Sequence, residues 1–158
     1  MTIGEARFAD IYPDAVYVDT WYDFDFADTK VEVKDCFRPK GRYVVFMYHH
    51  EQLMDENGWY FFVLKRRSPN GKGPPTIQYT KWVPATGIYA YKYGVRSRKS
   101  QQDDYEEREV FDIPWKDMWK DILRLDRQIE RRANRIKWRK EKDEWRQRKH
   151  DENKRRYG

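Results

Sequence analysis

Lysine, arginine and tryptophan side chains recur at helical spacing near the C-terminus, in a pattern suited to binding a polyanion. Six of them follow one another at intervals of three or four residues: Arg131, Arg135, Trp138, Lys142, Trp145 and Lys149. At 3.6 residues per turn these positions share one face of a helix. Because cations neutralise phosphates and indole rings stack on unpaired bases, this face is expected to bind RNA or DNA. An acidic protein surface and a merely solvated charged helix are the alternatives.

A second group of basic residues lies in the middle of the chain, interleaved with tyrosines and tryptophans. The group consists of Lys65, Arg66, Arg67, Arg96, Arg98 and Lys99. A sheet with exposed aromatic rings and a basic rim is a common platform for single-stranded nucleic acid. The alternative is that the rings form the core, because the chain is poor in leucine and isoleucine.

Acidic residues followed by lysine suggest hydrolytic chemistry. Pro13-Asp14 followed by Glu32-Val33-Lys34 resembles the signature of the PD-(D/E)xK nucleases. The resemblance implies two acids that hold a divalent metal and a lysine that assists attack by water. It covers two short motifs, and the acid-x-lysine form also occurs at Asp28-Thr29-Lys30 and Glu152-Asn153-Lys154.

Histidine and cysteine do not form a recognisable site. His49 and His50 are neighbours on a predicted strand, so their side chains are expected to point to opposite faces. Cys36 is the single cysteine, which excludes an intrachain disulfide and favours an intracellular setting. We expect it to be a small buried thiol. The sequence therefore predicts no metal site, no cofactor and no catalytic residue outside the nuclease hypothesis.

Segments rich in β-branched and aromatic residues predict six or seven strands between Ala15 and Phe111. Their predicted bounds are Val16 to Trp21, Lys30 to Phe37, Arg42 to His49, Trp59 to Arg66, Thr76 to Val83, Ile88 to Tyr93 and, weakest, Glu109 to Phe111. Because no segment of helix length separates them, an antiparallel meander, small barrel or sandwich is expected.

Two of these segments, Tyr43 to Tyr48 and Trp59 to Leu64, are apolar at every position or nearly so. Both faces of the sheet should therefore be covered at its centre. The expected covers are the C-terminal segment and a short helix around Ile3 to Ile11.

A long helix is predicted after Asp112, a plausible N-cap, with Pro114 in its first turn. Neither glycine nor proline occurs again before Gly158. An apolar stripe runs from Trp115 to Ile136 and then ends, so the first half is expected to dock on the sheet and the second half to project as a basic arm. The predicted organisation is a β-rich domain at residues 1–111 and a helix at 112–158.

Composition limits the class of protein. Of 158 residues 38% are charged and 17% are aromatic, which predicts a folded chain with an aromatic core. The net charge of +6 is ordered in blocks: −6 over residues 1–35, +9 over 36–102, −5 over 103–115 and +8 over 116–158. No apolar run is long enough for a membrane span or a secretory signal. Basic blocks on an intracellular protein favour a polyanionic partner.

The sequence thus predicts an α+β protein with an antiparallel, aromatic-rich sheet and one long C-terminal helix. The first-ranked function is non-enzymatic nucleic-acid binding, or assembly into a larger nucleoprotein particle, in the cytoplasm or within that particle. A small adaptor or inhibitor of the kind that viruses and phages encode ranks second. The metal-dependent nuclease ranks third, because that family surrounds its sheet with helices where strands are expected here.

Overall fold

The computed structural model describes residues 1–91, 93–99 and 107–158, and it describes residues 96–99 and 107–108 by their backbone alone. The chain divides into two compact units, residues 1–118 and 119–158. The first unit combines β-strands with short helices, and the second is dominated by one long helix. The predicted α+β class is therefore confirmed.

Among the described residues, the strands are β1 (Val16–Tyr17), β2 (Phe24–Phe26), β3 (Thr29–Arg38), β4 (Arg42–Phe46), β5 (Trp59–Arg66), β6 (Thr76–Pro84), β7 (Gly94–Lys99) and β8 (Glu107–Pro114). The α-helices are α1 (Ile3–Ile11), α2 (Met47–Asp55), α3 (Trp115–Met118) and α4 (Lys120–Tyr157), and a 3-10 helix spans Ala85–Ala90. No described helix is both long and apolar enough to cross a membrane.

The described strands form two sheets with different pairings. The larger sheet has the order β1-β2-β3-β5-β6, and the smaller has the order β4-β8-β7. β3 and β5 pair in parallel, from Val31 opposite Trp59 to Arg38 opposite Arg66, whereas the other described pairs are antiparallel. Parallel neighbours need a crossover connection, which β4 and α2 supply here. The expectation of an uninterrupted antiparallel meander is wrong at this pair.

Helix α2 begins inside the predicted strand Arg42 to His49, whose last three residues form its first turn. The apolar run that begins at Tyr43 leaves the sheet after Phe46, and the chain continues as a helix from Met47. The helix ends in a tight turn in which Gly58 N donates to Leu53 O at 2.7 Å. A Cβ at Gly58 would lie 2.2 Å from Leu53 Cδ1, so this turn needs glycine.

Strands β2 and β3 form a hairpin that the sequence patterns do not predict. Phe26 pairs with Thr29, which leaves a two-residue turn at Ala27 and Asp28. Both turn residues have positive φ, 49° and 58°, as a type I′ turn requires. The predicted strand Val16 to Trp21 is shorter than expected, because β1 ends at Tyr17 and the chain then turns toward this hairpin.

Strand β5 is buried on both faces, as the sequence predicted. On one face Phe8 of α1 lies 5.1 Å from Phe61, measured between ring centroids. On the other face the ring of Tyr43, from β4, lies 4.9 Å from that of Phe62 and its hydroxyl donates to Val63 O at 2.8 Å. The predicted helix at Ile3 to Ile11 is confirmed as α1, and the second sheet covers the face that the C-terminal segment was expected to cover.

β5 has its predicted bounds, and β3 and β6 lie within one residue of theirs, whereas two other predictions differ from the structure. The first three residues of the predicted strand Ile88 to Tyr93 lie in the 3-10 helix, and position 92 lies outside the described residues. Asp112 is part of β8 and does not cap a helix, because β8 continues through Pro114. Helix α3 begins at Trp115, and after Trp119 the long helix α4 begins. The docking of its first half and the projection of its second half stay predictions.

Candidate active site

Glu5, at the third position of α1, is fixed by the way the helix begins. Thr2 and Glu5 form a capping box: the Glu5 backbone N–H donates to Thr2 Oγ1 at 3.1 Å, and the Thr2 N–H donates to Glu5 Oε2 at 2.8 Å. The hydroxyl of Tyr17, on β1, donates to the same carboxylate oxygen at 3.4 Å. Glu5 is buried, so a carboxylate is held in place at the N-terminal end of this helix.

Asp23 is positioned by the β2–β3 hairpin. Phe24 pairs with Val31, so Asp23, one residue earlier, comes next to Glu32, one residue later. The Asp23 N–H donates to Val31 O at 3.1 Å, and its Oδ2 accepts from the Val33 N–H at 2.7 Å. The carboxylate is buried and bound to the backbone of the adjacent strand.

Glu32 and Lys34 lie two residues apart on β3, so their side chains share one face of the strand. Lys34 Nζ lies 3.2 Å from Glu32 Oε1, and the two side chains are 23% and 19% exposed. Together with Trp21 and Tyr60 they line a small pocket. The ion pair is thus partly buried at the edge of this pocket.

The carboxyl groups of Asp23 and Glu32 are held in an environment that disfavours their charged forms. Burial, followed by the negative charges of Glu32 and Glu5, raises the pKa of Asp23 to about 8, although the Val33 N–H and Lys34 oppose this effect. Burial also raises the pKa of Glu32, and Lys34 opposes that shift. Neighbouring acids of this kind can share a proton or a cation, and acids with perturbed pKa values mark a candidate catalytic site.

The donor set fits magnesium better than zinc. In residues 1–91, 93–99 and 107–158 no group of three or more His, Cys, Asp or Glu side chains is arranged to enclose a metal ion. Mg²⁺ keeps several of its waters and is commonly held by one or two carboxylates together with substrate phosphates. The carboxyl groups of Asp23 and Glu32 are two oxygen donors of this type.

The structure brings together part of the predicted acidic motif. Glu32 and Lys34 form the ion pair, whereas Asp14 is exposed in the turn after α1. Asp23, and not Asp14, lies beside Glu32. Two sequence signals could have found the missed residues: the capping-box spacing from Thr2 to Glu5, and alternating Phe24 and Phe26 before a two-residue turn.

The predicted basic residues of the sheet lie in different environments. Lys65 is buried, with its Nζ 2.8 Å from Asp35 Oδ2. Arg66 and Arg67 are exposed at the end of β5, and the Arg67 guanidinium lies 4.6 Å from the centroid of the Phe37 ring. Arg96, Arg98 and Lys99 belong to β7, and their side chains are outside the described part of the structure.

The predicted residues of the C-terminal helix are exposed, whereas His50 and Cys36 are buried. Arg131, Arg135, Trp138, Lys142, Trp145 and Lys149 all belong to α4 and are exposed. His50 lies on α2, where its Nδ1 is 2.8 Å from the Tyr60 hydroxyl and burial lowers its pKa to about 4. Cys36 is buried as expected, and burial raises the pKa of its thiol to about 11. His50 and Cys36 are therefore uncharged near neutral pH.

Comparison with known proteins gives one match. A family model described as the PD-(D/E)XK nuclease superfamily domain matches residues 2–117, from the capping box to the third residue of α3. No curated protein and no solved structure matches. The match includes Glu5, Asp23, Glu32 and Lys34, and it overturns the first-ranked expectation that the chain is not an enzyme.

Proposed function

Because the chain belongs to the PD-(D/E)XK nuclease superfamily, we propose that it is a metal-dependent nuclease whose active site contains Asp23, Glu32 and Lys34. The observation that carries this proposal is the meeting of two acids with raised pKa values and a lysine on one hairpin. The superfamily match also supports nucleic acid as the substrate class.

The acids suit a divalent cation. Asp23 and Glu32 would hold it, and Glu5 adds negative charge close enough to raise the pKa of Asp23. When bound, such a cation polarises a phosphoryl oxygen and makes a water molecule a better nucleophile at neutral pH.

The chain's own residues position the reacting groups. The Val33 N–H fixes the Asp23 carboxylate, and Thr2 with Tyr17 fixes that of Glu5. The ammonium group of Lys34 lies beside Glu32. From there it can donate a hydrogen bond to the attacking water or to a phosphate oxygen. Because these groups are held by a hairpin and a helix end, little rearrangement is needed for reaction.

Cleavage of labelled DNA and RNA tests the proposal. The purified protein should cleave one of them with Mg²⁺ and lose this activity when EDTA is added. Glu32→Gln and Lys34→Ala should each lower the rate by about 10²-fold or more, the usual size of a proton-transfer or charge-stabilising contribution. Asp28→Asn is a matched control, since Asp28 also begins an acid-x-lysine segment but lies exposed in the hairpin turn. Equal rates for Glu32→Gln and the unaltered protein would reject the proposal.

A further inference from the structure

Helix α4 carries a cationic strip that is sharply separated from its acidic residues. Successive residues of an α-helix are rotated by about 100° about its axis. Eleven residues of α4 therefore lie within about 40° of a single direction from that axis and form one face. These are Lys120, Arg124, Arg127, Arg131, Arg135, Trp138, Lys142, Trp145, Lys149, Asn153 and Arg156, here called the cationic strip. None of them is acidic, but Glu152, which lies beside the strip, pairs with two of its cations, Lys149 at 3.5 Å and Arg156 at 3.4 Å.

The strip accounts for the entire excess charge of the helix. α4 contains sixteen lysines and arginines and eight acidic residues, a net charge of +8. Eight of the cations lie in the strip, so the eight that lie elsewhere are balanced by the eight acids. A solvated helix would gain by mixing its charges in i,i+4 pairs, whereas separation onto one face fits a polyanion.

The two tryptophans of the strip are paired with lysines in the same way. Lys142 Nζ lies 4.7 Å from the ring of Trp138, and Lys149 Nζ lies 6.0 Å from that of Trp145. The indoles are 59% and 52% exposed. Seven residues separate the two pairs, which is about 10.5 Å along the helix. Each pair offers an aromatic surface for a base beside a cation for a phosphate.

We propose that the cationic strip of α4, which shares no residue with the proposed active site, is a binding surface for single-stranded nucleic acid. The strip's charge complements a phosphate backbone, and its exposed indoles match unpaired bases, which duplexes do not offer. The family match ends at residue 117, so this surface lies outside the matched domain. The choice of a polynucleotide as the ligand rests in part on the proposed nuclease function. The test therefore measures binding and does not depend on cleavage.

The test measures binding of a fluorescent 20-nucleotide single strand to the full chain carrying Glu32→Gln, in EDTA. Trp138→Ala with Trp145→Ala should weaken binding at least about tenfold, since base stacking on an aromatic ring contributes substantially at each site. The matched control is Ile129→Ala with Ile136→Ala. These residues are also seven apart, 58% and 59% exposed, and lie on the opposite face. The control should bind within about twofold of the Glu32→Gln protein.

A second pair of variants separates the strip from general electrostatic attraction. Arg131→Glu with Arg135→Glu reverses two charges in the strip, and Arg132→Glu with Arg139→Glu reverses two charges outside it. The first should weaken binding at least about tenfold more than the second. Equal losses, an unchanged affinity in the tryptophan variant, or tryptophan-dependent self-association without binding would each overturn the proposal. Cleavage without strip-dependent binding would reject this surface alone, and binding without cleavage by the unaltered protein would reject the nuclease alone.

Discussion

At the scale of single residues, Asp23 shows how the candidate active site weakens the fold that holds it. The pKa of Asp23 is about 8 in the folded chain, and that of an unfolded aspartate is about 4. Between these pH values the folded protein therefore keeps a proton that the unfolded chain has lost. The free energy of unfolding must fall as the pH rises from about 4 to about 8.

Asp23→Asn should remove this pH-dependent loss, because the amide is neutral and its oxygen can still accept from the Val33 N–H. In EDTA the variant should melt at a higher temperature than the unaltered protein, and the difference should grow between pH 5 and pH 8. At pH 8 we expect at least about 1 kcal/mol, or about 2–4 °C in a chain of this size. Thermal unfolding followed by circular dichroism gives the two melting temperatures. A lower melting temperature for the variant would show that the charged carboxylate stabilises the fold.

Only part of the site was readable from residue types. Glu32 and Lys34 were found because two positions on one strand share a face whatever the rest of the fold does. Asp23 was missed because its place beside Glu32 depends on the register of a hairpin whose first strand, β2, has three residues. The sequence motif points to Asp14 instead because Pro13 precedes it, but this proline carries no information about burial.

At the scale of elements, the β2–β3 hairpin and the α2 crossover decide where the site lies. The turn at Ala27 and Asp28 sets the register that brings Asp23 next to Glu32. The crossover allows β5 to lie parallel beside β3 and bury it at the centre of the larger sheet. Sequence patterns predicted β3 and β5 well, because β3 alternates apolar and charged residues and β5 is a continuous apolar run, but they did not predict the turn or the crossover.

Substitutions in the β2–β3 turn should increase the stability of the protein. Ala27 and Asp28 both have positive φ, which asparagine and glycine adopt more readily than alanine and aspartate. Ala27→Asn with Asp28→Gly should raise the free energy of unfolding by about 0.5–1 kcal/mol and leave the cleavage rate unchanged. Chemical denaturation and the cleavage assay measure the two effects. Lower stability would argue against the type I′ turn, and with it against the register that places Asp23.

Substitution of Gly58, in the turn after α2, should destabilise the protein. A methyl group at Gly58 would lie 2.2 Å from Leu53 Cδ1 and 3.0 Å from Lys30 O. Gly58→Ala should therefore lower the free energy of unfolding by about 1–3 kcal/mol, the usual effect of overpacking. Gly71→Ala is a useful contrast, because its Cβ would meet no atom within 4 Å and the effect there would come from its φ of 67° alone. Denaturation curves in which Gly58→Ala leaves the stability unchanged would contradict the described crossover.

At the scale of the whole molecule, the family match and the charge distribution divide the chain similarly. Residues 2–117 match the nuclease domain, and the helix that follows carries the separated positive charge. Composition alone predicted a polyanionic partner from that charge. The same charge led the sequence interpretation toward pure binding, since enzyme active sites depend on a few positioned residues that composition does not show.

The salt dependence of nucleic-acid binding by the full chain should reveal how many cations of the strip contact phosphates. Eight cations meeting a single strand should give a slope of about −5.6 in a plot of log affinity against log salt concentration, at about −0.7 per phosphate. Arg131→Glu with Arg135→Glu should make the slope shallower. Trp138→Ala with Trp145→Ala should lower the affinity without changing the slope, because stacking releases no counterions. Fluorescence anisotropy in EDTA at several salt concentrations measures both quantities, and a slope near zero would argue against phosphate contacts.

The most direct measurement compares the Mg²⁺-dependent cleavage rates of Asp23→Asn and Asp14→Asn with that of the unaltered protein. Both variants exchange one aspartate for its amide, but Asp23 is buried beside Glu32 and Asp14 is exposed in a turn. Asp23→Asn should lose about 10²-fold or more in rate while remaining folded, and Asp14→Asn should cleave at the unaltered rate. Full activity in Asp23→Asn, or an equal loss in both variants, would contradict the assignment of the active site to this hairpin.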